Sequence, residues 1–124
     1  MEESAPILRR LREILGIPGD RVGKARRIAA AIRDTGGYRW VGIYDVFPEE
    51  VAVLAWSGPA APARDPRHLT TLGTTRSEIV VPILAPGGGQ VGLLDVESGL
   101  PDAFGQEDHR RLEECAAALA PLWG

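Results

Sequence analysis

The chain has 124 residues, of which 44% are hydrophobic and 25% charged, and its formal net charge is −3. That length suits one domain and that composition excludes a disordered chain. The acidic balance speaks against a general nucleic-acid binder, and the single cysteine, Cys115, excludes an internal disulfide framework. The opening Met-Glu-Glu leads into no long apolar run. The sequence therefore predicts no signal peptide and no membrane partner, and a cytoplasmic location. Charge is uneven: residues 1–39 carry nine basic and five acidic side chains, residues 40–124 five and twelve. A basic front half can meet an acidic partner, or simply give two helices solvated faces.

In chain order, Ile7, Leu8, Leu11, Ile14 and Leu15 recur at helical spacing, with Ser4 placed to cap the start and Pro6 tolerated in the first turn. Gly16 and Pro18 stop that helix. Asp20 caps a second, whose apolar face is Val22, Ala25, Ile28, Ala29 and Ile32, and Gly36-Gly37 ends it. The period then changes. Residues 38–47 are rich in aromatic and β-branched side chains, Pro48-Glu49-Glu50 reads as a turn, and 51–56 as the returning strand. Residues 58–74, with Pro59, Pro62 and Pro66, read as a surface loop. Strands follow over 78–84 and 90–98, joined by a turn at 85–89 that contains Gly87-Gly88-Gly89. From about Gln106 a last helix places Leu112, Cys115, Ala116, Leu119 and Trp123 on one stripe.

The strands over 78–84 and 90–98 read as apolar on both faces, with Val80 and Leu84 on one and Ile79, Val81 and Ile83 on the other. Such a sheet needs cover on both sides. Helices supply one cover; a partner, a ligand or the 58–74 loop is left for the other.

Residue chemistry points to one place. Trp40, Gly42 and Tyr44 are two apart and share a strand face, as do Asp95 and Glu97. Glu78 opens its strand beside Arg76 and Ser77. If these faces coincide they form a cup with an aromatic wall and a carboxylate floor, suited to a small ligand bearing an ammonium group. The residue types alone favour a plainer reading, with Trp40 and Tyr44 as core and Glu78 paired to Arg76 at a strand end. Cys115 sits among alanines on an apolar stripe and reads as a packed small hydrophobe. His68 and His109 have no second ligand at zinc spacing, so no metal site is expected. Gly87-Gly88-Gly89 joins two strands and opens no helix, so it is no phosphate loop. Arg9, Arg10 and Arg12 lack interleaved aromatics and give no case for nucleic acid.

Three stretches carry a family resemblance. Tyr38-Arg39-Trp40-Val41-Gly42-Ile43-Tyr44 is similar to the first strand of GAF domains of the free methionine-R-sulfoxide reductase group. Thr75-Arg76-Ser77-Glu78-Ile79-Val80-Val81-Pro82 resembles that group's third-strand signature, and Val91-Gly92-Leu93-Leu94-Asp95-Val96-Glu97-Ser98 its fourth strand. Residues 104–112 are similar to the opening of its last helix, and the resemblance spans roughly residues 22–123. It implies that Trp40 and Tyr44 line a pocket and that Glu78 and Glu97, with Asp95 adjacent, contact a free amino acid. Glu97 stands where the family has Asp, which moves the charge one methylene outward. The family's cysteines lie between its second strand and the third-strand signature; here residues 58–77 contain none, in a shorter interval.

The expected fold is therefore one α+β domain over 1–124, with a GAF-like central antiparallel β-sheet (38–98) and two N-terminal helices (1–36) and one C-terminal helix (105–123) packed on one face. The expected function is non-catalytic small-molecule binding and signalling, with an amino acid or small amine as ligand and no cofactor. The site residues are Trp40, Tyr44, Glu78, Asp95 and Glu97. The alternatives are a degenerate interaction module and a methionine-R-sulfoxide reductase. In related domains such helices often form a dimer interface, so a homodimer through the helices is also expected; the apolar stripes over 7–15 and 112–123 fit packing within the chain equally well.

Overall fold

A computed structural model describes residues 5–59 and 77–124. The expected cap Ser4 and most of the expected loop over 58–74 lie outside the described residues, as do Arg76 and His68.

Helix α1 (Ala5–Gly16) buries Ile7, Leu11 and Ile14. Helix α2 (Arg21–Gly36) begins at Asp20, whose Oδ1 accepts the Gly23 N–H at 2.6 Å. It ends at Gly37, which takes the left-handed conformation at φ 67°, and the Tyr38 N–H then reaches the Arg33 carbonyl at 3.1 Å. Its buried stripe is Ala25, Ile28, Ala29 and Ile32. Val22, expected on that stripe, is 44% exposed; it stands in the first turn, short of the packed region.

Four strands follow, β1 (Trp40–Val46), β2 (Val51–Ser57), β3 (Ser77–Leu84) and β4 (Gln90–Ser98). They form one sheet in the order β2-β1-β4-β3, with every pairing antiparallel. The β1–β2 turn closes with the Phe47 N–H on the Glu50 carbonyl at 2.8 Å, and the β3–β4 turn with Ala85 and Gly89 joined at 2.8 Å. The first strand starts two residues later than its composition suggests. Tyr38 instead stacks on Phe104 at 5.5 Å and donates its hydroxyl to Asp108 at 3.1 Å. Both residues lie where the chain enters α3 (Gln106–Ala118), so Tyr38 ties the start of the sheet to the last helix.

Strand alternation sends Val41, Ile43, Ala55, Ile79, Val81, Ile83, Leu94 and Val96 into one core with the apolar stripes of all three helices. Helix α2 packs on β1 and β2, α3 packs on β3, and α1 closes over α2 and α3. The last helix is shorter than its stripe suggests: α3 ends at Ala118, and a 3₁₀ turn over Ala120–Trp123 carries Pro121. This turn takes Trp123 off the stripe. Its indole N–H donates to Asp45 at 2.8 Å, and the Arg21 guanidinium lies 5.0 Å from the ring centroid while also pairing with Asp45. Gly92 leaves the room for this ring, since a Cβ there would stand 2.5 Å from it.

Candidate ligand site

The sheet face turned away from the helices holds a second, smaller apolar cluster of Trp40, Tyr44, Val51 and Leu93, flanked by Val46 and Val80. Register brings the five expected site residues onto this face. Trp40 stands opposite Glu97, and Glu97 opposite Glu78, so an aromatic and two carboxylates form one row across β1, β4 and β3. One row along, Gly42 faces Asp95 and Asp95 faces Val80. In the next, Tyr44 faces Leu93. The alternation within each strand fixed which residues share a face; the strand order makes the faces coincide.

Gly42 is what lets the aromatic wall form. A Cβ there would lie 2.3 Å from the Trp40 ring and 3.1 Å from that of Tyr44, so the indole lies over bare backbone. Gly58 does the same from the other side, where a Cβ would come within 2.2 Å of the Trp40 ring. Trp40 is 1% exposed and Tyr44 wholly buried. Gly42 is legible in the alternation of its strand, whereas no sequence signal marks Gly58 as a site residue. Leu93 and Val51, buried in the same cluster, were likewise not anticipated. At the β2 edge of this face, Trp56 opposite Gly42 and Val53 opposite Tyr44 are about two-fifths exposed, at 39% and 41%.

The carboxylates are buried too: Asp95 is 1% exposed, Glu97 4%, and Glu78 is half-buried. One oxygen from each can be chosen so that all three lie within 4.8 Å of one another. Asp95 Oδ1 and Glu78 Oε2 are fully buried and receive no hydrogen-bond donor. Burial raises the Asp95 carboxyl far above the usual carboxylate range, and the hydrogen bond with Glu78 and the charges of Glu78 and Glu97 add to it. Burial also lifts Glu78, to about 7, against the hydrogen bond from Asp95, which favours its ionised form. Two carboxyl groups in such contact titrate as a pair.

Three carboxylate oxygens at this spacing suit one cation. A primary ammonium donates three tetrahedral hydrogen bonds of about 2.8 Å to acceptors up to about 4.6 Å apart. A hard metal ion of calcium's size spans similar separations, and this all-oxygen set is of the kind such ions take. It is unlike the His/Cys set a zinc site needs.

Cys115 lies elsewhere. It is 1% exposed in the core between α3 and the opposite face of the sheet, and burial pushes its thiol up to about 12. Arg9, Arg10 and Arg12 are exposed on α1, as is His109 on α3.

No protein-family model matches the chain. It is 24% identical to GAF domain-containing protein A of Dictyostelium discoideum, over 95% of this chain and 90% of that protein. Among solved structures it resembles the free methionine-R-sulfoxide reductase of Neisseria meningitidis in complex with its substrate, at a TM-score of 0.83 and 24% identity over 97% of this chain and 87% of that one. A GAF domain superposes with a TM-score of 0.79 at 19% identity, over 96% of this chain and 86% of that one. Among the described residues three helices lie on one side of a four-stranded antiparallel sheet, and this α+β chain has the GAF fold.

Proposed function

We propose that the chain is a non-catalytic small-molecule-binding domain whose ligand carries a primary ammonium group, held by Glu78, Asp95 and Glu97 beside the rings of Trp40 and Tyr44. The observation that carries this reading is the convergence of three carboxyl groups on one buried, aromatic-walled spot. Buried carboxylates are costly unless a cation or proton compensates them. A ligand with three N–H donors matches three acceptors, and a neighbouring indole face adds cation–π attraction. Free amino acids and small amines both present such a group. The resemblance to a reductase seen in complex with its substrate supports a domain that takes a small molecule.

Reduction of a sulfoxide by a thiol of this chain has less support. The one cysteine of the sequence is buried in the core on the far side of the sheet, with its thiol held protonated.

The test is a thermal-shift screen against free amino acids, methionine sulfoxide and small primary amines, with calcium chloride as a control for a metal occupant. A ligand at about 100 times its dissociation constant adds roughly 2.7 kcal/mol to the folded state, a readily visible shift. The expected result is a shift with a primary amine or amino acid that Glu78→Gln abolishes. A stable protein that responds to none of them, or to calcium alone, would sink the reading.

A further inference from the structure

We propose that the empty site stores a proton between Asp95 and Glu78, and that an ammonium ligand enters by displacing it, so that binding releases a proton and strengthens as pH rises. This rests on the cationic-ligand reading above for its second half; the stored proton stands on the protein alone.

The geometry comes from the pairing of β3 with β4. Glu78 lies directly opposite Glu97, and Asp95 is two residues from Glu97 on the same strand face. Like charges placed so are destabilising even at a surface, and here Asp95 is 1% and Glu97 4% exposed. Among the described residues, the groups around Asp95 offer little relief. On its sheet face, β1 brings Gly42 opposite it with Trp40 and Tyr44 to either side; β3 brings Val80 opposite it, with Glu78; and β4 itself brings Leu93 and Glu97. The helices lie on the opposite face. Among the described residues no basic side chain pairs with Asp95 or Glu78. Two acceptor oxygens, Asp95 Oδ1 and Glu78 Oε2, stand buried without a donor. A proton on Asp95 supplies the donor and removes a negative charge from the cluster in one step. An ammonium ion brings the same positive charge with three donors, so proton and ligand compete for one place. Burial and the neighbouring carboxylates raise both carboxyl groups, which puts the exchange within reach of ordinary pH.

The sign follows from proton counting. The unfolded chain releases these protons near pH 4, the ordinary carboxylate value of about 4, while the folded chain holds at least one. The contribution of these two groups to the stability of the ligand-free protein is therefore greatest at low pH, and is lost as pH rises from about 4 through 7. The affinity for a cation runs the other way, rising up to about tenfold per pH unit for one displaced proton.

Two measurements test this. The first is a carboxyl carbon-13 NMR titration of the empty protein, assigned with Asp95→Asn and Glu78→Gln. Asp95 should titrate above the ordinary carboxylate range, and Asp95→Asn should flatten the fall of melting temperature between pH 5 and 8. Asp95 and Glu78 both titrating near 4 would overturn the stored proton, whatever the ligand does. The second is calorimetric titration with n-propylammonium chloride at pH 6.5 in phosphate and in bis-Tris, a tertiary amine that brings no primary ammonium of its own. An enthalpy that differs between the buffers by about one proton's worth of buffer ionisation, with affinity rising from pH 5.5 to 7.5, supports the exchange. Binding with no such difference overturns the coupling while leaving the ligand reading intact. A stored proton with no binding at any pH overturns the ammonium reading, and the exchange with it.

Discussion

Gly42 has no side chain, and Trp40 lies in the space that absence leaves. An added methyl group would stand 2.3 Å from the ring, so the indole must turn away. Gly42→Ala is therefore expected to cost about 1–3 kcal/mol, as overpacking of a tight core does. Urea unfolding measures the loss, and the same variant should lose any thermal shift given by a primary amine. An unchanged unfolding midpoint with unchanged amine response would mean that the ring does not depend on this position. At this scale the sequence told part of the story. Period-two alternation put Trp40 with Tyr44 and Asp95 with Glu97 on shared faces, because a strand offers only two sides. It was silent on Gly58, Leu93 and Val51, because their contacts depend on how an indole ring is turned and on which strands become neighbours.

The elements are joined at their ends by polar contacts as well as by the core. Asp45 on β1 accepts both the Arg21 guanidinium at the start of α2 and the Trp123 indole N–H at 2.8 Å, while Arg21 also donates to the Leu122 carbonyl at 2.7 Å. One carboxylate thus fastens β1, α2 and the C-terminal turn together. Asp45→Ala leaves a partly buried guanidinium and an indole N–H without their acceptor, at an expected cost of about 1–3 kcal/mol. Chemical denaturation checks the size, and Trp123 emission should shift toward that of a solvent-exposed indole. The elements themselves were legible from capping residues and periodicity. Asp20 and Gly37 bound α2 as their chemistry dictates, and the Gly-rich turn joins β3 to β4. The departures were at boundaries. Tyr38 left the strand for a ring and a carboxylate near α3, and Trp123 left the helical stripe once Pro121 shaped a 3₁₀ turn. Both follow partners more than 60 residues away in the chain, which a local pattern does not register.

Across the whole molecule the sheet separates two environments. Its helix side is an apolar core that includes Cys115; its other side carries the three clustered carboxyl groups of Glu78, Asp95 and Glu97. Cys115→Ser puts a hydroxyl into a site built for a small apolar group, with an expected loss of about 1–3 kcal/mol. Any amine response should survive it. Thiol reagents should leave Cys115 unmodified until the protein unfolds, as its burial and raised pKa imply. A native thiol that reacts quickly, or an amine response that vanishes with the sulfur, would place the cysteine in contact with the site after all. The sequence reads both β3 and β4 as apolar on two faces, but the second face of β4 carries the buried Asp95 and Glu97; that this acidic stretch runs beside β3 required the strand order β2-β1-β4-β3.

That strand order also splits the sheet into two hairpins, β1 with β2 and β3 with β4, which meet only along the β1–β4 seam. Trp40 and Tyr44 belong to the first hairpin, and Glu78, Asp95 and Glu97 to the second. Neither hairpin owns a site by itself. A bound molecule would act as a rivet through the seam, so amide hydrogens of the β1–β4 ladder, more than those within either hairpin, should exchange more slowly when the site is filled.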